Sequence, residues 1–176
     1  QSRASNALLV EQLEGGDASE THGAGMALDE VRDFIVAQNN YFPILDEEAE
    51  TLHDAVMADY DEPYLALRAR LEQRHNVKTR IAPVEVMDNT LRRYDRHRQT
   101  IFQSELLDQP GRSFQLAYQL AYFEQIPNIE NILVSSGMES EEVRTVARIS
   151  LANYFAAAAL MPYDSFLKTA EMNHYD

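Results

Sequence analysis

Apolar positions recur at helical spacing along most of the chain and change to strict alternation only in its middle. Val31, Phe34 and Ile35 fall on one face of a helix predicted over Ala27–Gln38, and NNYFP (39–43) breaks it. Asp46 is the predicted N-cap of a second helix, with Glu47 and Glu48 suited to its positive end and Leu52, Ala55 and Val56 on its apolar side. DYDEP (59–63) marks a stop and a new start, with Pro63 in a first turn and Leu67 and Leu71 carrying the next helix to about His75. VKTRIA (77–82) then alternates apolar and basic residues, and TLRRYD and RQTIFQS, either side of Arg96-His97, predict a hairpin.

Pro110-Gly111 resets the chain. The helix FQLAYQLAYFEQ (114–125) follows and runs to Pro127. A long helix is predicted from Ser140 to Pro162, with Glu141 and Glu142 in its first turn. Its second half, ISLANYFAAAALM, is apolar nearly all round, which makes it the central buried helix. A last helix is predicted near Asp164. The fold class is therefore α+β, mostly helical with a small three-stranded sheet.

Charge adds an asymmetry to this pattern. The net charge is −14, yet residues 11–62 hold fifteen acidic side chains and one arginine, while residues 63–100 hold nine basic and four acidic ones. So acidic a chain is a poor nucleic-acid binder by itself. Cysteine is absent, which excludes disulfides and thiolate chemistry within this chain. No apolar run is long enough to span a bilayer, and no secretory leader is visible, so a cytoplasmic protein without membrane contact is expected. The first residue is Gln1 rather than methionine, and a domain trimmed from a longer protein is expected. Three segments are predicted: a flexible Ser/Gly/Glu/Asp-rich linker over 1–26, an acidic helical coupling or dimerisation segment over 27–62, and a ligand-sensing unit over 63–176.

On a helical wheel, FQLAYQLAYFEQ separates two chemistries. Leu116, Leu120 and Phe123 form an aliphatic and aromatic face expected in the core; Gln115, Tyr118, Gln119 and Tyr122 form another sector. The second sector is solvated surface, a partner contact or a pocket wall. Arg92, Arg93, Arg96 and Arg98 crowd the predicted hairpin, with Arg112 at the next helix start. Arginine forks match phosphate oxygens, and charged hairpin edges also deter aggregation. His22, His53, His75 and His174 are scattered and read as surface; Asn153, in an apolar helix, is expected to satisfy a buried hydrogen bond.

RSFQLAYQLAY (112–122) and LANYFAAAALMP (151–162) resemble two helices of the ImmA/IrrE-type metallopeptidases, whose first helix reads R-x-F-T-L-A-H-E-L-G-H. The resemblance implies a zincin-like, IrrE N-terminal-like core. In an H-E-x-x-H site two histidines bind zinc and the glutamate is the general base. The corresponding residues here are Tyr118, Gln119 and Tyr122, and the third-ligand glutamate falls on Leu151. The resemblance thus implies a degenerate scaffold without metal and without peptidase activity.

LRRYD (91–95), FQSELL (102–107), RSFQLAYQLAYFEQ (112–125) and RISLANYFAAAALMPYDSF (148–166) are similar to the Xre-family regulators that respond to short-chain fatty acyl-CoA, of the PrpR and RamB kind. That likeness implies a sensor domain that binds coenzyme A esters such as propionyl-CoA and controls short-chain fatty acid metabolism. It implies DNA contact only through an N-terminal helix-turn-helix outside this chain. An iron–sulfur cluster, where members carry one, belongs to a further region also outside it. A homo-oligomer, dimer or dimer of dimers, is expected. The residues expected around the ligand are Arg92, Arg93, Arg96, Arg98 and Arg112 for phosphates, Tyr94, Phe102 or an arginine plane for adenine, and Tyr118, Tyr122, Leu151 and Tyr154 for the acyl end, with Gln119 also in the binding set. The alternative is a pseudo-peptidase that serves as a protein-interaction module. With no nucleophile–base pair in view, an enzyme is not expected.

Overall fold

The computed structural model describes residues 18–58 and 62–161. Among them run seven helices and three strands: α1 (Ala18–Ala37), α2 (Pro43–Met57), α3 (Pro63–His75), β1 (Lys78–Ala82), the short α4 (Val84–Met87), β2 (Arg92–Asp95), β3 (Thr100–Ser104), α5 (Gln109–Glu124), α6 (Ile126–Ser136) and α7 (Glu141–Leu160). No helix among the described residues is long and apolar enough to cross a membrane.

Local chemistry sets most boundaries. Asn39 and Asn40 adopt left-handed φ of 56° and 54° and turn the chain out of α1, a conformation asparagine tolerates better than most residues. Pro43 and Pro63 open α2 and α3, where a missing N–H is harmless. Asp108 caps α5 by accepting from the Gly111 amide at 2.8 Å, and Ser140 caps α7 by accepting from Val143 N at 3.4 Å. Gly111 is needed there, because a Cβ would stand 2.8 Å from the capping Asp108 oxygen.

The sheet has the order β1-β3-β2, with β1 parallel and β2 antiparallel to the central β3. The predicted hairpin is β2–β3, closed by a turn in which Asp95 Oδ1 accepts from the amides of His97 and Arg98. Leu116 and Leu120 of α5 and Leu151, Phe155 and Ala156 of α7 are essentially inaccessible and form one core with Leu45, Leu52, Leu67 and Leu71. α7 packs against α5, α2 and α1, as its all-round apolar second half requires. The acidic α1 and α2 therefore share their buried face with the rest, through Ala27, Val31, Leu45 and Leu52.

Several elements differ from the sequence expectations. α1 begins at Ala18, inside the stretch whose composition reads as linker. α2 begins at Pro43, which places Asp46 in its first turn rather than at the cap; its carboxylate accepts from Tyr154 OH at 2.6 Å. Ala55 is exposed, and Leu45 and Ala49 take its place on the buried face. Pro127 does not only end α5: it sits in the first turn of α6, a separate helix anchored by Ile129 and Leu133. The helix predicted near Asp164 lies outside the described residues.

Candidate functional site

Strand β2 alternates, so Arg92 and Tyr94 point toward α5 while Arg93 points to the opposite face. Arg92 Nε donates to Gln115 Oε1 at 3.1 Å, and its Nη1 donates to Gln119 Oε1. Its guanidinium lies 4.7 Å above the centre of the Tyr118 ring. Gln115, Tyr118, Gln119 and Tyr122 thus form one stripe on α5, as the wheel separates them, and Arg92 lies against it. Tyr118 OH donates a long hydrogen bond to Tyr122 OH at 3.4 Å.

This stripe walls a cleft of about 810 Å³. Arg92, Tyr94 and the exposed Arg96 come from the hairpin; Tyr118, Gln119, Tyr122 and Phe123 from α5; Ile126 from α6 and Ile149 from α7. In a chain of net charge −14, no Asp or Glu among the described residues lines this cleft. Burial pushes the Arg92 pKa down, and the neighbouring tyrosines act in the opposite direction. Burial, then the proximity of Tyr118, pushes the Tyr122 phenol far up, with Arg92 and Arg148 opposing, so Tyr122 stays a neutral hydroxyl donor.

Behind Phe123 lies a charge cluster. Glu124 accepts from Arg70 Nη2 at 2.6 Å and contacts His75 Nε2 at 3.0 Å, and the His75 ring stacks on Phe123 with centroids 5.1 Å apart. Burial pulls the Glu124 carboxyl up, but the Arg70 and His75 hydrogen bonds outweigh it and the net shift is downward. Arg148 is tied to Glu130 at 2.5 Å and Glu141 at 2.8 Å. His75 is thus half-buried and paired rather than free surface, as is His53, whose Nδ1 lies 2.9 Å from Ala159 O. Asn153 Nδ2 is buried without a hydrogen bond among the described residues, contrary to the expectation of a satisfied amide.

Of the residues expected around a ligand, Arg92, Arg96, Tyr118, Gln119 and Tyr122 come together in the cleft. The others lie elsewhere. Leu151 is in the core: α7 turns Ile149 to the cleft, and two residues later the face has rotated by roughly 200°. Tyr154 faces α2, where its hydroxyl accepts from Phe42 N at 3.2 Å and its ring meets Phe42 edge-on at 5.2 Å. Arg93 and Phe102 are register partners on the far face of the sheet, in a cation–π contact of 5.5 Å. Arg98 is 76% exposed at the hairpin tip, 3.8 Å from Asp95. Arg112 stands in the first turn of α5, with its Nε buried and without a hydrogen bond among the described residues. Phe123, expected in the core, lines the cleft and meets Tyr94 edge-on. Ile126 and Ile149 are additions that require knowledge of α6 and of the rotation of α7. A separate groove of about 490 Å³ between the end of α1, the start of α2 and α6 is lined by Phe34, Tyr41, Ile44 and Ile132.

The family's zinc does not fit these residues. Phenols, an amide and the buried Leu151 offer no metal donor set, and the Arg92 cation already lies over Tyr118. Among the described residues no group of three His, Cys, Asp or Glu is placed to hold a metal.

Fold and cleft define a degenerate zincin-like domain with a tyrosine- and arginine-walled cavity. The chain belongs to the IrrE N-terminal-like domain family, which matches residues 72–176. It is 34% identical over 160 residues to the HTH-type transcriptional regulator RamB of Mycobacterium tuberculosis, covering 91% of this chain and 34% of that protein. It is 35% identical over 151 residues to the HTH-type transcriptional regulator PrpR of the same organism, covering 86% and 31%. It is 30% identical over 148 residues to a propionyl-CoA carboxylase regulator of Cereibacter sphaeroides, covering 84% and 30%. A solved Mycobacterium tuberculosis transcriptional regulator superposes with a TM-score of 0.76 at 34% identity, over 85% of this chain and 45% of that one. The chain spans about a third of the length of the curated relatives it matches.

Proposed function

We propose that this chain is the ligand-sensing part of a transcriptional regulator and that its ligand is a short-chain acyl-CoA such as propionyl-CoA, bound in the tyrosine–arginine cleft. The observation that carries the reading is the cleft itself: a cavity with no Asp or Glu among its described lining residues and with the half-buried Arg92 on its wall. The thioester end enters first. Ile126 and Ile149 offer apolar contact to a short acyl chain, and the Tyr122 hydroxyl, which makes no further hydrogen bond among the described residues, is a donor for the thioester carbonyl. The phosphates and adenosine stay at the solvent side, where Arg96 is exposed. In this reading the domain is not an enzyme, and DNA is contacted by a helix-turn-helix outside residues 1–176. The relatives named as transcriptional regulators, one of them for propionyl-CoA carboxylase, favour it.

Native mass spectrometry of the purified chain with added propionyl-CoA tests this reading. The expected result is a stoichiometric adduct of the ester, lost with Tyr122→Phe combined with Arg96→Ala. No adduct, together with no heat by calorimetry at millimolar ester, refutes it.

A further inference from the structure

We infer that among short-chain acyl thioesters this cleft prefers those whose acyl group carries its own carboxylate over neutral ones such as propionyl-CoA, and that Arg92 is the residue that discriminates; this rests on the acyl-CoA reading above. Arg92 lies on the cleft wall, between β2 and α5, and is half-buried. A guanidinium drawn partly out of water normally sits beside a carboxylate, because desolvating a charge alone is unfavourable. Arg92 has none. Its partners are two neutral amide oxygens, from Gln115 and Gln119, and the face of the Tyr118 ring. The nearby carboxylates are already engaged: Glu124 by Arg70 and His75, Glu130 by Arg148, and Asp95 by the hairpin turn.

The unfilled part of the guanidinium is directional. Nε and Nη1 are used, whereas Nη2 makes no hydrogen bond among the described residues. The Tyr122 hydroxyl accepts from Tyr118 and keeps its own proton to donate. Two donors, one cationic and one neutral, thus stand on the same wall, a pair suited to a carboxylate. Gln115 and Gln119 point their oxygens at Arg92 and are spent there, so they do not repel an incoming anion. A neutral acyl chain leaves the free Nη2 edge without an anion; a carboxyacyl chain supplies one. A coenzyme A phosphate is a poorer occupant of this position, since it drags the adenosine behind it and the exposed Arg96 meets it first.

The test compares esters that differ only by carboxylate for methyl: methylmalonyl-CoA against isobutyryl-CoA, and succinyl-CoA against butyryl-CoA, titrated by calorimetry into the 176-residue chain. The expected preference for the carboxylated member is about ten- to a hundredfold, the range of one charge-assisted hydrogen bond. Arg92→Met should erase the preference while the neutral esters still bind. Neutral esters binding as tightly as their carboxylated partners in the unaltered chain overturns the inference and leaves the acyl-CoA reading standing. Arg92→Met weakening both members of a pair equally overturns it too, by assigning Arg92 to a phosphate. Free methylmalonate or succinate binding as well as the thioesters overturns the thioester part. Failure of every ester to bind removes the acyl-CoA reading and the inference together. The comparison in the unaltered chain needs no variant, so misfolding of Arg92→Met does not protect the idea; Arg92→Lys, which keeps charge and loses the fork, should retain a reduced preference.

Discussion

Leu120 and Tyr122 stand two residues apart on α5 and should respond to substitution in opposite ways. Leu120 is inaccessible to solvent, within the core shared by α5, α7 and α3. Leu120→Ala removes three carbons, about 2.4 kcal/mol of transfer free energy at ~0.8 kcal/mol each. The cavity left behind adds a penalty of ~24 cal/mol per Å3 of unrelaxed volume. A total of about 3–4 kcal/mol is expected, which for a chain of this size lowers Tm by roughly 6–16 °C. Tyr122→Phe removes one hydroxyl, whose protein hydrogen bond is a long 3.4 Å contact with Tyr118. Its stability effect should stay below about 1 kcal/mol, roughly 4 °C, while propionyl-CoA affinity falls about fivefold or more with the lost donor. Differential scanning fluorimetry and calorimetric titration of both variants separate the two readings. If Tyr122→Phe destabilises the fold as much as Leu120→Ala and leaves ester affinity intact, the stripe is packing and not a site.

Three further outcomes follow from particular contacts. The Glu124 carboxyl is depressed below its ordinary 4.5, so its stabilisation is complete above about pH 4.5 and is lost as pH falls through the lower folded value; Glu124→Gln should flatten that acid limb in pH-dependent urea unfolding and lower neutral-pH stability by about 1–3 kcal/mol. Gly111→Ala brings a Cβ to 2.8 Å from the capping oxygen of Asp108 and should cost about 1 kcal/mol in chemical denaturation, close to the loss of the cap itself. Tyr118→His with Tyr122→His should yield no peptidase activity in a casein assay even with zinc supplied, because Gln119 is no base and Leu151 is buried in the core; measurable cleavage would show that the scaffold supplies those groups from elsewhere.

The helices and the hairpin were legible because their signals are local. Val31, Leu52, Leu67 and Leu71 mark single faces, and the basic–apolar alternation of 77–82 marks β1. The tyrosine–glutamine stripe was legible for the same reason, since a wheel needs only spacing. What spacing does not carry is rotation about a neighbour. Leu151 and Ile149 are equally apolar, and only the seating of α7 decides which one meets the cleft. The arginines divide in the same way. Arg92 and Arg93 are adjacent in sequence, and the strand's alternation sends one inward and one outward, but only the packing of α5 on the sheet says which. α6 was not legible because Pro127 reads as a terminator whether or not a new helix follows it.

α7 behaves mechanically as a beam with three fittings. Arg148 bolts its first half to Glu130 of α6, Ile149 bears on the cleft, and Tyr154 hooks the start of α2 through Asp46 and the Phe42 amide. Ile149 and Tyr154 are about 7.5 Å apart along a helix axis, and a hydrogen-bonded helix does not shorten. A ligand that pressed on Ile149 and moved α7 as a unit would carry that movement along the helix to Tyr154. The pair of oxygens 2.6 Å apart at Tyr154 and Asp46 would register that motion first, and the acidic helix attached to them would be carried with it.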